Sequence, residues 1–160
     1  MKEFLRVRGK ALGFKVMERI IKVGKVKIGG RLPFVLIAGP CVIEDKKTVF
    51  KIASSIQKIT TRLKIPYIFK ASYDKANRTS VDSFRGLGIA AGLGILKEVK
   101  EKFGLPILSD VHSMDDIDES GEILDVVQIP AFLCRQTNLL IRAGESGKVV
   151  NVKKGQFLAP

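Results

Sequence analysis

The stretch Pro66-Tyr-Ile-Phe-Lys-Ala-Ser-Tyr-Asp-Lys-Ala-Asn-Arg-Thr-Ser80 changes character part-way along. Pro66–Phe69 is apolar and rich in β-favouring side chains, so it reads as a buried strand. The residues after it are polar. Lys70, Lys75 and Arg78 offer positive charge, Ser72, Asn77, Thr79 and Ser80 offer hydrogen bonds, and Asp74 is the only acid. A strand that ends this way delivers anion-binding groups to one end of a sheet.

The same alternation extends in both directions. Upstream, 20–28 alternates apolar and polar residues around Gly24, which predicts a β-hairpin. Pro33 then precedes the continuous apolar run Phe34–Ala38, the pattern of a parallel strand buried on both faces. Gly39-Pro-Cys41 turns the chain, and apolar residues at Val49, Ile52, Ala53, Ile56, Ile59 and Leu63 predict a helix over 48–63. Downstream, a helix is predicted over 89–103 with Gly104 as its cap. A strand follows over 105–109, ending in Asp110-Val-His112. Next come a short helix over 114–122, a strand over 124–129, a helix over 137–143 and a strand over 148–152 that ends in Lys153-Lys154. Alternating strands and helices predict an α/β protein with a parallel sheet. Polar groups at the C-terminal ends of successive strands favour a (β/α)₈ barrel over a doubly wound sheet, whose first turn would be glycine-rich. About five of the eight strands of such a barrel can be counted, preceded by the hairpin. Residues 1–19 are basic and weakly patterned and read as an extension that need not be native; Met17 is an alternative start.

Composition narrows the partners. A hydrophobic fraction of 46% and a charged fraction of 28% are globular values. The net charge of +12 suits nucleic acid, an anionic surface or phosphorylated small molecules. The cations are dispersed, Trp is absent and there is no aromatic-plus-basic motif, so nucleic acid is not expected. No apolar run is long enough for a membrane span. Two cysteines, Cys41 and Cys134, suit free thiols in a reducing cytoplasm.

Taken together, Leu36–Cys41, Phe69–Ser80, Ser83–Gly86, Ser109–His112, Gln128–Thr137 and Asn151–Pro160 resemble the 3-deoxy-D-manno-octulosonate 8-phosphate synthases, also called 2-dehydro-3-deoxyphosphooctonate aldolases. The pieces occur in family order over roughly residues 20–160. The related 3-deoxy-heptulosonate phosphate synthases share the Ala-Gly-Pro-Cys turn. Where this chain has Lys-Ala-Asn-Arg-Thr-Ser, they usually carry proline and arginine.

The resemblance implies a (β/α)₈ barrel, usually tetrameric, with a hairpin capping its floor. It implies condensation of phosphoenolpyruvate with arabinose 5-phosphate, with release of phosphate, on the route to lipopolysaccharide. Under it, Lys75, Arg135 and Lys153 clamp phosphoenolpyruvate, while Gln128 and the backbone around Ala131 and Phe132 line its pocket. Lys70 or Lys75 donates a proton, which requires a lowered pKa. Ser72 joins the substrate-binding set, and Asn77, Arg78 and Thr79 match the sugar phosphate segment, partly serving a neighbouring subunit. Cys41 points to the metal-dependent branch, a divalent metal being held with a His, a Glu and an Asp from later strands.

Several residues keep a plain structural reading beside these. Arg85 and Lys154 read as solvated charges or ion-pair members, Asp110 and His112 as a satisfied polar pair, and Cys134 as packing. Asn138 replaces the family's usual Asp, and Asp118–Gly121 is unusually polar for its helix. The expectation is therefore a truncated synthase domain over 20–160, inactive and aggregation-prone alone. The alternatives are a heptulosonate relative using erythrose 4-phosphate, or a non-catalytic basic module.

Overall fold

A computed structural model describes residues 19–159 and, ahead of them, the backbone of a two-residue antiparallel pair, β1 (Arg6–Val7) with β2 (Lys10–Ala11). The basic extension expected over 1–19, and Met17 within it, otherwise lie outside the described residues. The predicted hairpin is β3 (Ile21–Val23) with β4 (Val26–Ile28), turning at Gly24. Five parallel strands follow in strictly sequential order: β5 (Leu36–Ala38), β6 (Tyr67–Lys70), β7 (Ile107–Asp110), β8 (Val126–Ile129) and β9 (Val149–Val152). The crossovers are helical: α1 (Lys46–Leu63), α2 (Ile89–Phe103), α3 (Met114–Ser120) and α4 (Thr137–Glu145). The sheet curls into a partial (β/α) barrel, the architecture expected from the sequence.

Side chains alternate faces along a strand, so residues two apart share a face. On one face Ile68, Leu108 and Val126 form a small buried cluster with Val23 and Val26 of the hairpin. The hairpin is thus the floor of the curl. Two residues further along the same strands, that face becomes Lys70, Asp110 and Gln128, and β9 adds Asn151 after Val149. The opposite face carries Phe69, Ile107, Val127 and Ile129 into the main core with Leu93, Leu96 and Val99 of α2 and Val49 and Ala53 of α1. Each fully buried side chain of this size contributes about 1.5–3 kcal/mol.

Element boundaries moved where caps and edges intervened. α1 starts two residues before the predicted Thr48, because the Asp45 carboxylate accepts a 2.8 Å hydrogen bond from the Thr48 amide. The strand expected from Leu105 begins at Ile107. The run expected to be buried on both faces from Phe34 is covered only in part: Phe34 is 70% exposed and Ile37 43%, while Leu36 and Ala38 pack against the main core and Val35 against the hairpin cluster. β5 pairs only with β6 among the described strands, so it is an edge. Gly39, at the end of β5, has a packing reason: a Cβ there would lie 1.9 Å from the Lys70 carbonyl oxygen. The polar helix α3 is anchored after all, with Ile117 and Ser120 buried and Asp118 paired with Arg142 of α4.

Candidate active site

The inward polar layer converges on Asp110, at the end of β7 and 6% exposed. Ser72 donates its hydroxyl hydrogen to Asp110 Oδ2. Lys70 Nζ and Lys75 Nζ each donate to Ser72 Oγ at 2.8 Å and lie 3.5 and 3.6 Å from Asp110 Oδ2. On the other side, Gln128 Nε2 donates to Asp110 Oδ1, and Asn151 Nδ2 donates to Gln128 Oε1 at 2.8 Å. One hydrogen-bonded chain therefore crosses β6, β7, β8 and β9. Burial alone would raise the Asp110 carboxyl, but Lys70, Ser72, Gln128 and Lys75 outweigh it and hold it below the usual carboxylate range. Burial pushes Lys70 below the ordinary lysine value, with the Lys75 charge adding to the effect and Asp110 opposing it.

This layer is the floor of a cavity of about 550 Å³. Its walls are Asp74–Arg78 after β6, His112 after β7, Pro130–Leu133 after β8 and Lys153 after β9. The Lys75 amide donates to Arg85 O at 2.7 Å and the Lys153 amide to Ile129 O at 3.0 Å, which fixes the backbone under both cations. Arg78 Nε donates to Phe84 O at 3.2 Å. Phe132 and Phe157 stack at the rim, 6.5 Å between ring centroids.

Of the residues singled out from the sequence, Lys75, Asn77, Arg78, Gln128, Ala131, Phe132 and Lys153 line this cavity. Lys70 sits beneath it, tied to Ser72. Ser72 is fully buried, and its oxygen is engaged by two lysines and a carboxylate, so it organises the cations from below. Thr79 and Arg135 are exposed and are not among the lining residues.

Asp110 and His112 do not form the satisfied pair considered from the sequence. Asp110 joins the lysines, and His112 faces Asp116 and Tyr73. Arg85 makes a two-pronged ion pair with Asp74 at 2.9 and 2.5 Å, and Lys154 donates to backbone carbonyls of Gly155 and Leu158. Sequence reasoning missed Asp110 as the hub and Asn151 as the end of the chain. Counting by twos from Val126 and Val149 would have found both Gln128 and Asn151 on the inward face.

Cys41 is an exposed thiol on the turn beside Ser72, where Ile43 N donates to Ser72 O at 2.9 Å. Among the described residues no group of three or more His, Cys, Asp or Glu gathers where a metal ion could be held. One thiolate is too few ligands for a protein metal site, so these residues do not by themselves fit the metal.

The model of the DAHP synthetase I family matches residues 12–160. The chain belongs to the DAHP synthetase I family. Within that family it is similar to proteins named 2-dehydro-3-deoxyphosphooctonate aldolase. The relative from Geotalea uraniireducens is 62% identical over 144 residues, 90% of this chain and 53% of the relative. Those from Geobacter metallireducens and Rickettsia felis are 59% and 57% identical over the same shares. The chain spans about half the length of the curated relatives it matches.

Proposed function

We propose that this chain supplies the anion-binding part of a synthase that condenses phosphoenolpyruvate with arabinose 5-phosphate, giving 3-deoxy-D-manno-octulosonate 8-phosphate and phosphate for lipopolysaccharide synthesis. The observation that carries the reading is the cation cluster over Asp110: Lys70, Lys75, Arg78 and Lys153 sit on or under one cavity at the C-terminal ends of adjacent strands. The Lys-Ala-Asn-Arg-Thr-Ser run and the names of the relatives support arabinose 5-phosphate over erythrose 4-phosphate.

In this reading Lys75 and Lys153 hold the phosphate and carboxylate of phosphoenolpyruvate against Gln128, Ala131 and Phe132. Asn77, Arg78 and Thr79 take the sugar phosphate, partly from a neighbouring copy in a tetramer. C3 of phosphoenolpyruvate attacks the aldehyde carbon, whose oxygen takes a proton from Lys70 or Lys75. Water adds at C2, and the phosphate leaves from the resulting intermediate. Lysine is a competent donor when its pKa is lowered towards neutrality, and burial acts on Lys70 in that direction. Bringing two anions together is chiefly positioning and electrostatic work. A divalent metal at Cys41 would need further ligands from outside the described residues, and no step here runs through it. The two thiols suit a cytoplasmic enzyme.

The test joins residue 160 to the remaining length of the Geotalea uraniireducens relative. The folded chimaera is expected to release phosphate from phosphoenolpyruvate with arabinose 5-phosphate and not with erythrose 4-phosphate. No release with arabinose 5-phosphate, or a preference for erythrose 4-phosphate, overturns the reading. Steep salt-dependent DNA binding by the chain would instead favour a basic binding module.

A further inference from the structure

The cavity is rich in donors and short of acceptors. Lys75, Arg78 and Lys153 can only donate. Asp110 is committed to two lysines, Asp74 to Arg85, and Gln128 Oε1 to Asn151. Such a wall recognises phosphate and carboxylate, and it leaves Asn77 Oδ1 and His112 as the lining side-chain groups that can accept from a ligand hydroxyl. His112 is the chain's only histidine, and it lines this cavity.

We propose that Asp116, buttressed by Tyr73, is a positioning residue that holds His112 as the neutral Nδ1–H tautomer, so that Nε2 presents a hydrogen-bond acceptor to a hydroxyl of the ligand in the cavity. Asp116 occupies the third position of α3, where Ser113 caps the helix: the Asp116 amide donates to Ser113 Oγ at 3.1 Å, and Ser113 Oγ donates to Asp116 Oδ1 at 2.6 Å. Capping uses that amide and one carboxylate oxygen. The other oxygen is turned to a second task. Oδ2 accepts from Tyr73 OH at 2.7 Å and from the His112 amide at 2.9 Å, and it lies 3.5 Å from His112 Nδ1.

The support is rigid. Tyr73 is 2% exposed, its ring stands edge-on to the imidazole with centroids 5.9 Å apart, and α2 presses on it through Gly92, where a Cβ would lie 2.3 Å from Tyr73 Cβ. Burial would raise the Asp116 carboxyl, but hydrogen bonds from Ser113, Tyr73 and the His112 amide hold it below the usual range, so it is an anion at neutral pH. An anion beside Nδ1 selects the tautomer that carries its proton there.

The inference deepens the proposed function by naming which ligand feature His112 meets, a hydroxyl of the sugar phosphate, yet its test needs no turnover. The single histidine makes a two-bond ¹H–¹⁵N correlation spectrum of the ¹⁵N-labelled chain unambiguous. In the neutral imidazole, the expected pattern is protonated Nδ1 and unprotonated Nε2. Asp116→Asn is expected to shift it towards the Nε2–H form that dominates in a free histidine side chain. Ser113→Ala removes the capping hydroxyl and its bond to Asp116 Oδ1 but leaves Oδ2 beside Nδ1, and is expected to leave the pattern as in the parent chain. A Nε2–H pattern in the parent chain, or no change with Asp116→Asn, overturns the proposal. If Asp116→Asn unfolds α3, or the chain precipitates, the parent tautomer is read from a ¹⁵N-His112-labelled segment ligated into the chimaera, where an Nε2–H pattern overturns the proposal. Loss of the synthase reading would show as absent phosphate release with the tautomer shift intact. Failure of this inference would show as an unshifted tautomer whatever the activity.

Discussion

Replacing Asp110 by Asn removes one negative charge from beneath two ammonium groups while keeping the side chain's shape. Lys70 and Lys75 lie 3.5 and 3.6 Å from that carboxylate, and the three side chains are 19%, 15% and 8% exposed. At an effective dielectric near 20, each pair attracts by about 4–5 kcal/mol before desolvation is counted. Stripping one partner from a buried pair destabilises by about 3–5 kcal/mol, because the remaining charge is left uncompensated. The cavity side is open to water, so we place Asp110→Asn at about 3 kcal/mol, two orders of magnitude in the folded-to-unfolded ratio. Urea unfolding of the chain followed by far-ultraviolet circular dichroism measures it as a midpoint shift at constant slope.

The pH dependence has a definite sign. Lys70 is depressed in the folded state, so the unfolded chain binds its proton more tightly; stability therefore rises as pH climbs through the folded value and levels off above the unfolded value near 10.5. Without Asp110 the depression deepens, so the deficit of the variant narrows between neutral pH and pH 10. The same substitution is expected to tighten binding of inorganic phosphate to the chain. A deficit under about 1 kcal/mol, or one that widens with pH, would refute the assignment of Asp110 as the shared counter-ion.

Gly92 and Gly94 lie on the same helix and separate packing from propensity. A Cβ at Gly92 meets Tyr73 at 2.3 Å, whereas one at Gly94 meets nothing within 4 Å. Gly92→Ala is expected to lower stability by about 1–3 kcal/mol and Gly94→Ala to raise it by up to about 1 kcal/mol, read from thermal melts. In the chimaera, Lys75→Met is expected to abolish phosphate release while leaving the circular dichroism spectrum unchanged. Asp110 and Asp116 are both depressed below 3.8, so their stabilisation is complete above that pH and fades as pH falls through the lowered values. The parent chain is expected to keep its fold at pH 4, and Asp116→Asn to flatten the acid limb of its stability curve.

The fold was legible because its periodicities are long and mutually consistent. Ile68, Leu108 and Val126 each begin a two-residue step to a polar inward group, and that step needs only the sequence. What escaped were features set by single side chains or by edges. Asp45 precedes the first apolar position of α1, so periodicity placed the start late. Phe34 is apolar yet exposed, since apolar composition alone does not distinguish a central strand from an edge. Within Asp110-Val-His112 the nearest polar partner for Asp110 is His112, two residues away, yet the carboxylate turns to Lys70, Lys75, Ser72 and Gln128. Residues two apart at a strand end can share a face without touching, and long-range partners such as Gln128 and Lys75 are invisible to local spacing. The exposure of Arg135 and Thr79 was equally illegible, because a motif match carries no orientation.

The buried carboxylate in a cavity of cations has its own logic. Lysine brings three hydrogens to each ammonium. Ser72 takes one from Lys70 and one from Lys75, and Asp110 draws on both from just beyond hydrogen-bond range. Both lysines are thereby held on one side, and donors remain for the cavity. Removing Ser72 would release both ammoniums from a common anchor, whereas removing Asp110 would leave the anchor but take away the charge that offsets their mutual repulsion. The two losses are distinguishable. Ser72→Ala should loosen the geometry, lowering the phosphate affinity of the chain with little change in the pH dependence of stability. Asp110→Asn should change that pH dependence and raise the affinity. Opposite movements in affinity from two neighbouring polar deletions are what a preorganised cation pair over a shared counter-ion requires. An uncoordinated patch of surface lysines would show neither.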